Sequence, residues 1–216
     1  MKKIVSTALA VIMFVLATSL TVFANEPKTT STTVDPTLKA EVEEMLESKH
    51  KLYFNADGSF RVLILADIHM NAASNLTTTE NIKKRIKFLI DKENPNLVIF
   101  TGDNTIRSST TAIAQNNISA MVSYIEEKKI PWCHVYGNHD HENALTLEKQ
   151  QEVYESFEYC ISKEGPDLSG VGNYVNGIYN KDGTLGAVIY CLDSHDYPKD
   201  GSGGKYDYIK QDQIDW

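Results

Sequence analysis

The sequence predicts an α/β domain built on parallel strands, and three observations carry that expectation. Short, nearly continuous apolar runs recur at Phe60 to Ala66, Leu97 to Thr101 and Pro131 to Tyr136, the pattern of strands buried on both faces. Amphipathic stretches of helical period, Thr78 to Asn94 and Thr110 to Lys129, lie between them. Each apolar run ends on a short polar loop, and the carboxyl ends of parallel strands are where open α/β sheets bind ligands. Strand, helix, strand, helix, strand in this order is the register of parallel βαβ units.

Taken in order, the chain opens on residues 1–24, where Lys2 and Lys3 precede the uncharged run Ile4 to Phe23 and Val22-Phe23-Ala24 offers small residues to a signal peptidase. These residues read as an export signal, which implies a secreted or extracytoplasmic protein with no stable membrane association after cleavage. Left uncleaved, the same run is long enough to act as an N-terminal membrane anchor. Residues 25–36 are polar, aperiodic and carry two prolines, as a solvated linker does. Residues 37–58 form a lead-in whose first part, Thr37 to His50, places Leu38, Val42, Met45 and Leu46 on a helical period. Residues 59–216 form the main domain. Within it Ile82, Ile86, Leu89 and Ile90 mark the buried face of the first long helix, and Pro95 stops it. After the third strand come a helix from Leu145 to about Cys160 and a stretch carrying Gly165, Gly170 and Gly172. A hairpin follows, Tyr174 to Tyr179 and Thr184 to Leu192, around the turn Asn180-Lys181-Asp182-Gly183. Asp193 ends that last strand, and Tyr206 to Trp216 reads as the opening of another helix.

Composition narrows the partners. A net charge of −8, two units more negative once Lys2 and Lys3 are removed, offers no general attraction to a polyanion, so nucleic acid is not an expected partner. Three cysteines cannot build a disulfide scaffold; Cys133 and Cys191, inside apolar runs, read as small buried hydrophobes, and the pairing of Cys160 is open. His134 falls inside a strand and reads as a core histidine, and His50 as a surface one.

The chemistry lies at three strand ends: Asp67-x-His69, Gly102-Asp103-Asn104 and Gly137-Asn138-His139-Asp140. A carboxylate and an imidazole two residues apart on a tight loop can turn toward one cation, and that oxygen and nitrogen set suits iron, zinc or manganese better than calcium. A Gly before Asp103 lets backbone approach closely, and one carboxylate can bridge two metals. Each fragment alone is weak, since Asp-x-His arises by chance and Gly-Asp is commonly a turn. Three in succession, each directly after an apolar strand, are not explained by turns or by a mononuclear site on another fold.

These motifs resemble those of the calcineurin-like metallophosphoesterases, and the wording around them is similar to the branch related to purple acid phosphatases. Residues 97–104, 130–142, 169–174 and 192–197 carry that resemblance, which runs from about residue 59 to the end. It implies a four-layer α/β/β/α sandwich, two sheets face to face with helices outside, incomplete at its C-terminus. It also implies two metal ions, with Asp67 and His69 on the first, Asp103 bridging, and Asn138 on the second and beside the substrate phosphate. His139 would stand at the leaving group as general acid, with Asp140 as its orienting partner, while a metal-bridging hydroxide attacks phosphorus. Asn104 and His195 would lie near the substrate, His195 on the rim. His141 and Glu142 have two readings, substrate contact or helix cap; Asn173 and Tyr174 divide between rim and packing.

The chain departs from the family pattern in one respect: a lone His after a later strand and a Gly-His-x-His motif are both missing between His141 and Trp216. Two functions therefore follow from the sequence. The first is a dinuclear-metal phosphoesterase acting on small phosphate monoesters, with diesters or nucleotides next. The alternative is a non-catalytic domain that holds metal or phosphate. The oligomeric state is not readable from the sequence.

Overall fold

Two sheets and five α-helices make up the computed structural model, which describes residues 18–23, 36–71, 76–199 and 205–216. The first sheet has the order β1 (Thr18–Phe23), β3 (Ser59–Leu65), β4 (Leu97–Thr101), β5 (Trp132–Val135). Pairing of β3 with β4 and of β4 with β5 is parallel, as the alternation of apolar and amphipathic segments requires. The intervening crossovers are α2 (Leu76–Glu93) and α3 (Thr111–Glu127), and α4 (Leu147–Glu155) follows β5. The second sheet is β2 (Leu52–Tyr53), β6 (Tyr174–Tyr179) and β7 (Leu185–Cys191), with β2 parallel and β7 antiparallel to β6. Short α1 (Pro36–Met45) and α5 (Gln211–Asp215) lie near the two ends.

The uninterrupted apolar runs are explained by two cores, one on each face of the first sheet. Leu63, Leu65, Val98, Phe100 and Trp132 point toward α2, α3 and α4, where Ile86, Ile90, Ile118, Met121 and Ile125 meet them. Their strand neighbours Phe60, Val62, Leu97 and Cys133 point the other way, onto Leu52, Phe54, Tyr174, Ile178 and Cys191 of and beside the second sheet. Because side chains alternate along a strand, a central strand between two apolar layers must be apolar at every position. The α/β class with two facing sheets and helices packed outside is thus present. Over β7 the outer layer is open, with Leu185, Val188 and Tyr190 exposed.

Several boundaries differ from expectation. The lead-in helix stops at Met45 rather than His50, and Lys163 Nζ donates to the Met45 and Glu47 carbonyls that the helix end leaves without helical partners. Leu52–Tyr53 then adds a strand that its two-residue length hides from any periodicity argument. The helix expected to reach Cys160 ends at Glu155, since Cys160 bridges to Trp132 beside β5. The hairpin turn is as expected: Gly183 takes φ 86°, and Asp182 Oδ1 accepts from Thr184 N at 2.9 Å.

Cys133, Cys160 and Cys191 are free and buried. Within the span read as an export signal, Thr18–Phe23 pairs antiparallel with β3, Thr18 opposite Ile64 and Phe23 opposite Ser59. The rest of residues 1–24, and the linker apart from Pro36, lie outside the described residues. Among the described residues no helix is long and apolar enough to cross a membrane.

Candidate metal centre

Past the ends of β3 and β4 the backbones stay paired for several more residues. Asp67 N donates to Gly102 O at 3.2 Å, His69 N to Asp103 O at 2.9 Å and Met70 N to Asn104 O at 3.0 Å. To follow one another so closely, Asp67, His69 and Asp103 all take left-handed conformations, at φ 53°, 48° and 51°. Each such non-glycine residue costs about 1 kcal/mol or more and persists only where surrounding structure enforces it, a pattern that clusters at functional sites. Gly102, at φ 100°, and Gly137 are required sterically: a Cβ on Gly137 would fall 2.3 Å from both the amide nitrogen and Oδ1 of Asp103. The third strand end is thereby pressed backbone to backbone against the second.

This packing gathers three side chains. Asp67, His69 and Asp103 each offer a ligand atom, all within 4.8 Å of one another. His69 Nε2 lies 3.4 Å from Asp103 Oδ2 and 3.8 Å from Asp67 Oδ1. The bond to Asp103 raises the His69 pKa against the opposing effect of partial burial, with both carboxylates adding to the rise. Burial pushes the Asp103 carboxyl up, but bonds from His69 and from the His139 amide outweigh it and leave it below the usual range. Two carboxylates held half-buried around one imidazole favour a positive charge among them, and a cation would supply it. The donor set of two oxygens and one nitrogen fits zinc, iron or manganese.

A family model described as calcineurin-like phosphoesterase matches residues 60–215, which take in β4 to β7, nearly all of β3 and every residue of this group. The chain belongs to the calcineurin-like phosphoesterase family. Similar curated proteins include Phosphatase DCR2 of Saccharomyces cerevisiae, 31% identical over 73% of this chain and 30% of that protein. Two from Arabidopsis thaliana are named Probable inactive purple acid phosphatase 14 and 28, at 28% and 29% identity over 78% and 76% of this chain and 48% and 49% of theirs. The chain spans less than half the length of these relatives. Members of the family are metal-dependent phosphoesterases, generally with two divalent ions.

Against that background the remaining residues of this calcineurin-like phosphoesterase chain fall into place unevenly. Asn138 lines a cleft of about 360 Å³ together with Asp67, Asp103 and His195, and its amide donates to Tyr197 Oη at 2.9 Å. His139 stands over the group, its ring centroid 5.1 Å from that of His69, while its backbone N–H donates to Asp103 Oδ1 at 2.9 Å. That amide uses one lone pair of Oδ1 and leaves another able to accept. His195 sits on the rim, at φ 66°, with Nε2 3.1 Å from Gln213 Oε1.

Two placements differ from the sequence reading. Asp140 does not face the His139 ring: at 0% exposure its carboxylate accepts from the amides of Gly137 and Thr105 at 2.9 Å and of Asn104 at 3.2 Å. Burial raises its pKa to about 6 despite those three bonds. Asp140 therefore ties the second strand-end loop to the third. Asn104 is also 0% exposed, and its side-chain amide donates to Val135 O at 2.8 Å, so it does not reach the cleft. Missed by sequence reasoning was the carboxylate beside His139, that of Glu142, whose Oε1 is at an ion-pair distance of 3.1 Å from Nδ1. The signal was available in the spacing, since i and i+3 eclipse in the 3₁₀ turn Asn138–Glu142. Asn173 and Tyr174 resolve to packing, both buried.

Proposed function

We propose that this protein is exported and hydrolyses phosphate monoesters at a dinuclear metal site of iron, zinc or manganese. The observation that carries the reading is the convergence of Asp67, His69 and Asp103, from two strand ends, on one point beneath the Asn138-His139 loop of a third. Asp67 and His69 would hold the first ion and Asp103 would serve both, with Asn138 on the second and beside the phosphate. Bound metal supplies positive charge against the phosphoryl oxygens and makes water a competent nucleophile near neutral pH. His139, its ring 5.1 Å from that of His69, donates the proton that an alkoxide leaving group needs. His195 borders the space left for the organic part of a small substrate.

Support for export is the Lys2-Lys3 start, the apolar run and its small-residue end. Mass measurement of the secreted chain is expected to show Asn25 as the first residue, and retention of Thr18–Phe23 would argue for an uncleaved segment. For the catalytic reading, the full chain is dialysed with iron, zinc and manganese, bound metal is counted by elemental analysis, and p-nitrophenyl phosphate is supplied as substrate. Two ions with turnover are expected, and Asp103→Asn is expected to lose both together. A second reading, a non-catalytic metal-binding domain, is favoured by the single three-residue group among the described residues. One ion or none, without turnover, would select it.

A further inference from the structure

We propose that Tyr197 and Tyr206, stacked on each other at the rim of the cleft, receive a flat aromatic ring carried by the leaving group of the phosphate ester. The proposal rests on the phosphoesterase reading, because it needs a phosphate held in the same cleft. Tyr206 lines that cleft together with Asp67, Asp103 and Asn138. Tyr197 stands beside it, the ring centroids 5.9 Å apart and the planes 25° from parallel. Its hydroxyl accepts from the Asn138 amide at 2.9 Å, so the stacked pair adjoins the residue placed beside the phosphate. The backbone builds the arrangement: Asp207 N donates to Asp196 O at 3.1 Å, which sets the residue after Tyr206 against the residue before Tyr197.

Neither ring is spent on a core. Tyr197 and Tyr206 are 42% and 53% exposed, whereas the tyrosines that serve packing, Tyr136, Tyr154 and Tyr174, are buried. Among the described residues Tyr206 is also the one exposed tyrosine in the lining of this cleft. The Tyr206 ring already attracts a loose ligand, since the exposed Lys205 places Nζ over it, 5.0 Å from the centroid. An exposed cation–π contact shifts an equilibrium by about 2- to 5-fold, and a base stacked on an aromatic side chain by about 5- to 150-fold. An incoming flat ring therefore displaces the lysine. Stacking reads the face of a ring and not its edge, so the pair selects aromatic leaving groups as a class, of which aryl phosphates and nucleoside monophosphates are the two sources.

The first arm of the test needs no turnover. Non-hydrolysable phosphonate analogues of AMP and of ribose 5-phosphate are titrated by calorimetry into the full chain loaded with manganese. The AMP analogue, which differs only in carrying the ring, is expected to bind about 10-fold more tightly. Tyr206→Ala is expected to erase the difference, and Tyr206→Phe, which keeps the face, to preserve it. Equal affinities in the unaltered protein overturn the proposal, whether or not any variant folds, and leave the phosphoesterase reading standing; binding of neither overturns both. A difference that survives Tyr206→Ala overturns the proposal too, because the ring then rests elsewhere. The second arm compares each ester with itself in the unaltered protein and in Tyr206→Ala, so that the reactivity of the leaving group cancels. The loss in kcat/KM is expected to be about 10-fold greater on AMP than on glycerol phosphate. Phenyl phosphate separates the two sources: a loss there like that on AMP marks a platform for any aromatic ester, and a loss confined to AMP marks a nucleoside site. Equal losses on all three esters would make the stacked pair a support of its loop and overturn the proposal.

Discussion

Buried among Tyr136, Tyr154 and Ser162, the His134 ring has no water to hydrate a second proton, and burial pushes its pKa down to about 3. An unfolded chain protonates the same ring near its ordinary value of about 6.5. Between those values the unfolded state binds more protons, so stability present above pH 6.5 is lost as pH falls toward 3. From pH 7 to pH 5 the loss is about 2 kcal/mol from this ring alone. Urea unfolding at the two pH values is expected to show it, and His134→Leu to shrink the difference by that amount. A difference unchanged by His134→Leu would place the acid sensitivity elsewhere. His134 is legible as a core residue because a lone histidine in an apolar strand has little else to be. Asp67, His69 and Asp103 are legible for the opposite reason: just beyond a strand buried on both faces, a carboxylate or imidazole must leave the core. Asn104, one residue further, is not legible, since whether a polar loop residue faces cleft or core depends on the loop packed against it, here that of Val135 and Asp140.

At the scale of elements, the site depends on how the loop after β4 is held to the loop after β5, and Asp140 does the holding. Its one side chain accepts three backbone amides from two segments about 35 residues apart in sequence. Asp140→Ala would orphan those buried donors, at about 1–3 kcal/mol each, so the variant is expected to lose 3 kcal/mol or more in urea unfolding. Asp140→Asn, which keeps an acceptor oxygen, is expected to lose less. Equal losses would mean that charge, not acceptor geometry, is what the loops need. From sequence, Asp140 reads as the partner of His139 because it is adjacent. Adjacency in a 3₁₀ turn sends the two side chains to different faces, and the amides that claim Asp140 come from a loop only the fold brings near. The same limit applies to α1 and α4, whose periodicity is right but whose ends are set by Lys163 and by the bridge of Cys160 to Trp132. By contrast α2 and α3, long and strongly amphipathic between buried strands, have their expected extents within a few residues.

For the molecule as a whole, the first sheet is held from both faces by two separate cores, and the three site loops follow the carboxyl ends of its three parallel strands. A cation bound by Asp67, His69 and Asp103 would therefore join two chain segments whose strands run through the centre of both cores. Global unfolding must then release the ion, since no unfolded chain presents these three groups within reach of one another. Ligand that binds only the folded state adds stability as RT ln(1 + [L]/Kd), about 2.7 kcal/mol at a hundredfold excess over Kd. For a domain of this size each kcal/mol moves Tm by roughly 2–4 °C, so saturating manganese is expected to raise Tm by about 5–10 °C. A chelator should reverse the rise, and lowering pH should weaken it, because the raised His69 pKa makes protons stronger competitors for that nitrogen. Asp103→Asn is expected to abolish the shift, and calcium, poorly matched to an imidazole-bearing set, to produce little of it. Acidic side chains also lie scattered over the surface of this chain, so nonspecific binding has to be separated from the site. A rise that is equal with calcium, or that survives in Asp103→Asn, would mean that the ion binds elsewhere and that the three strand ends do not form a metal centre.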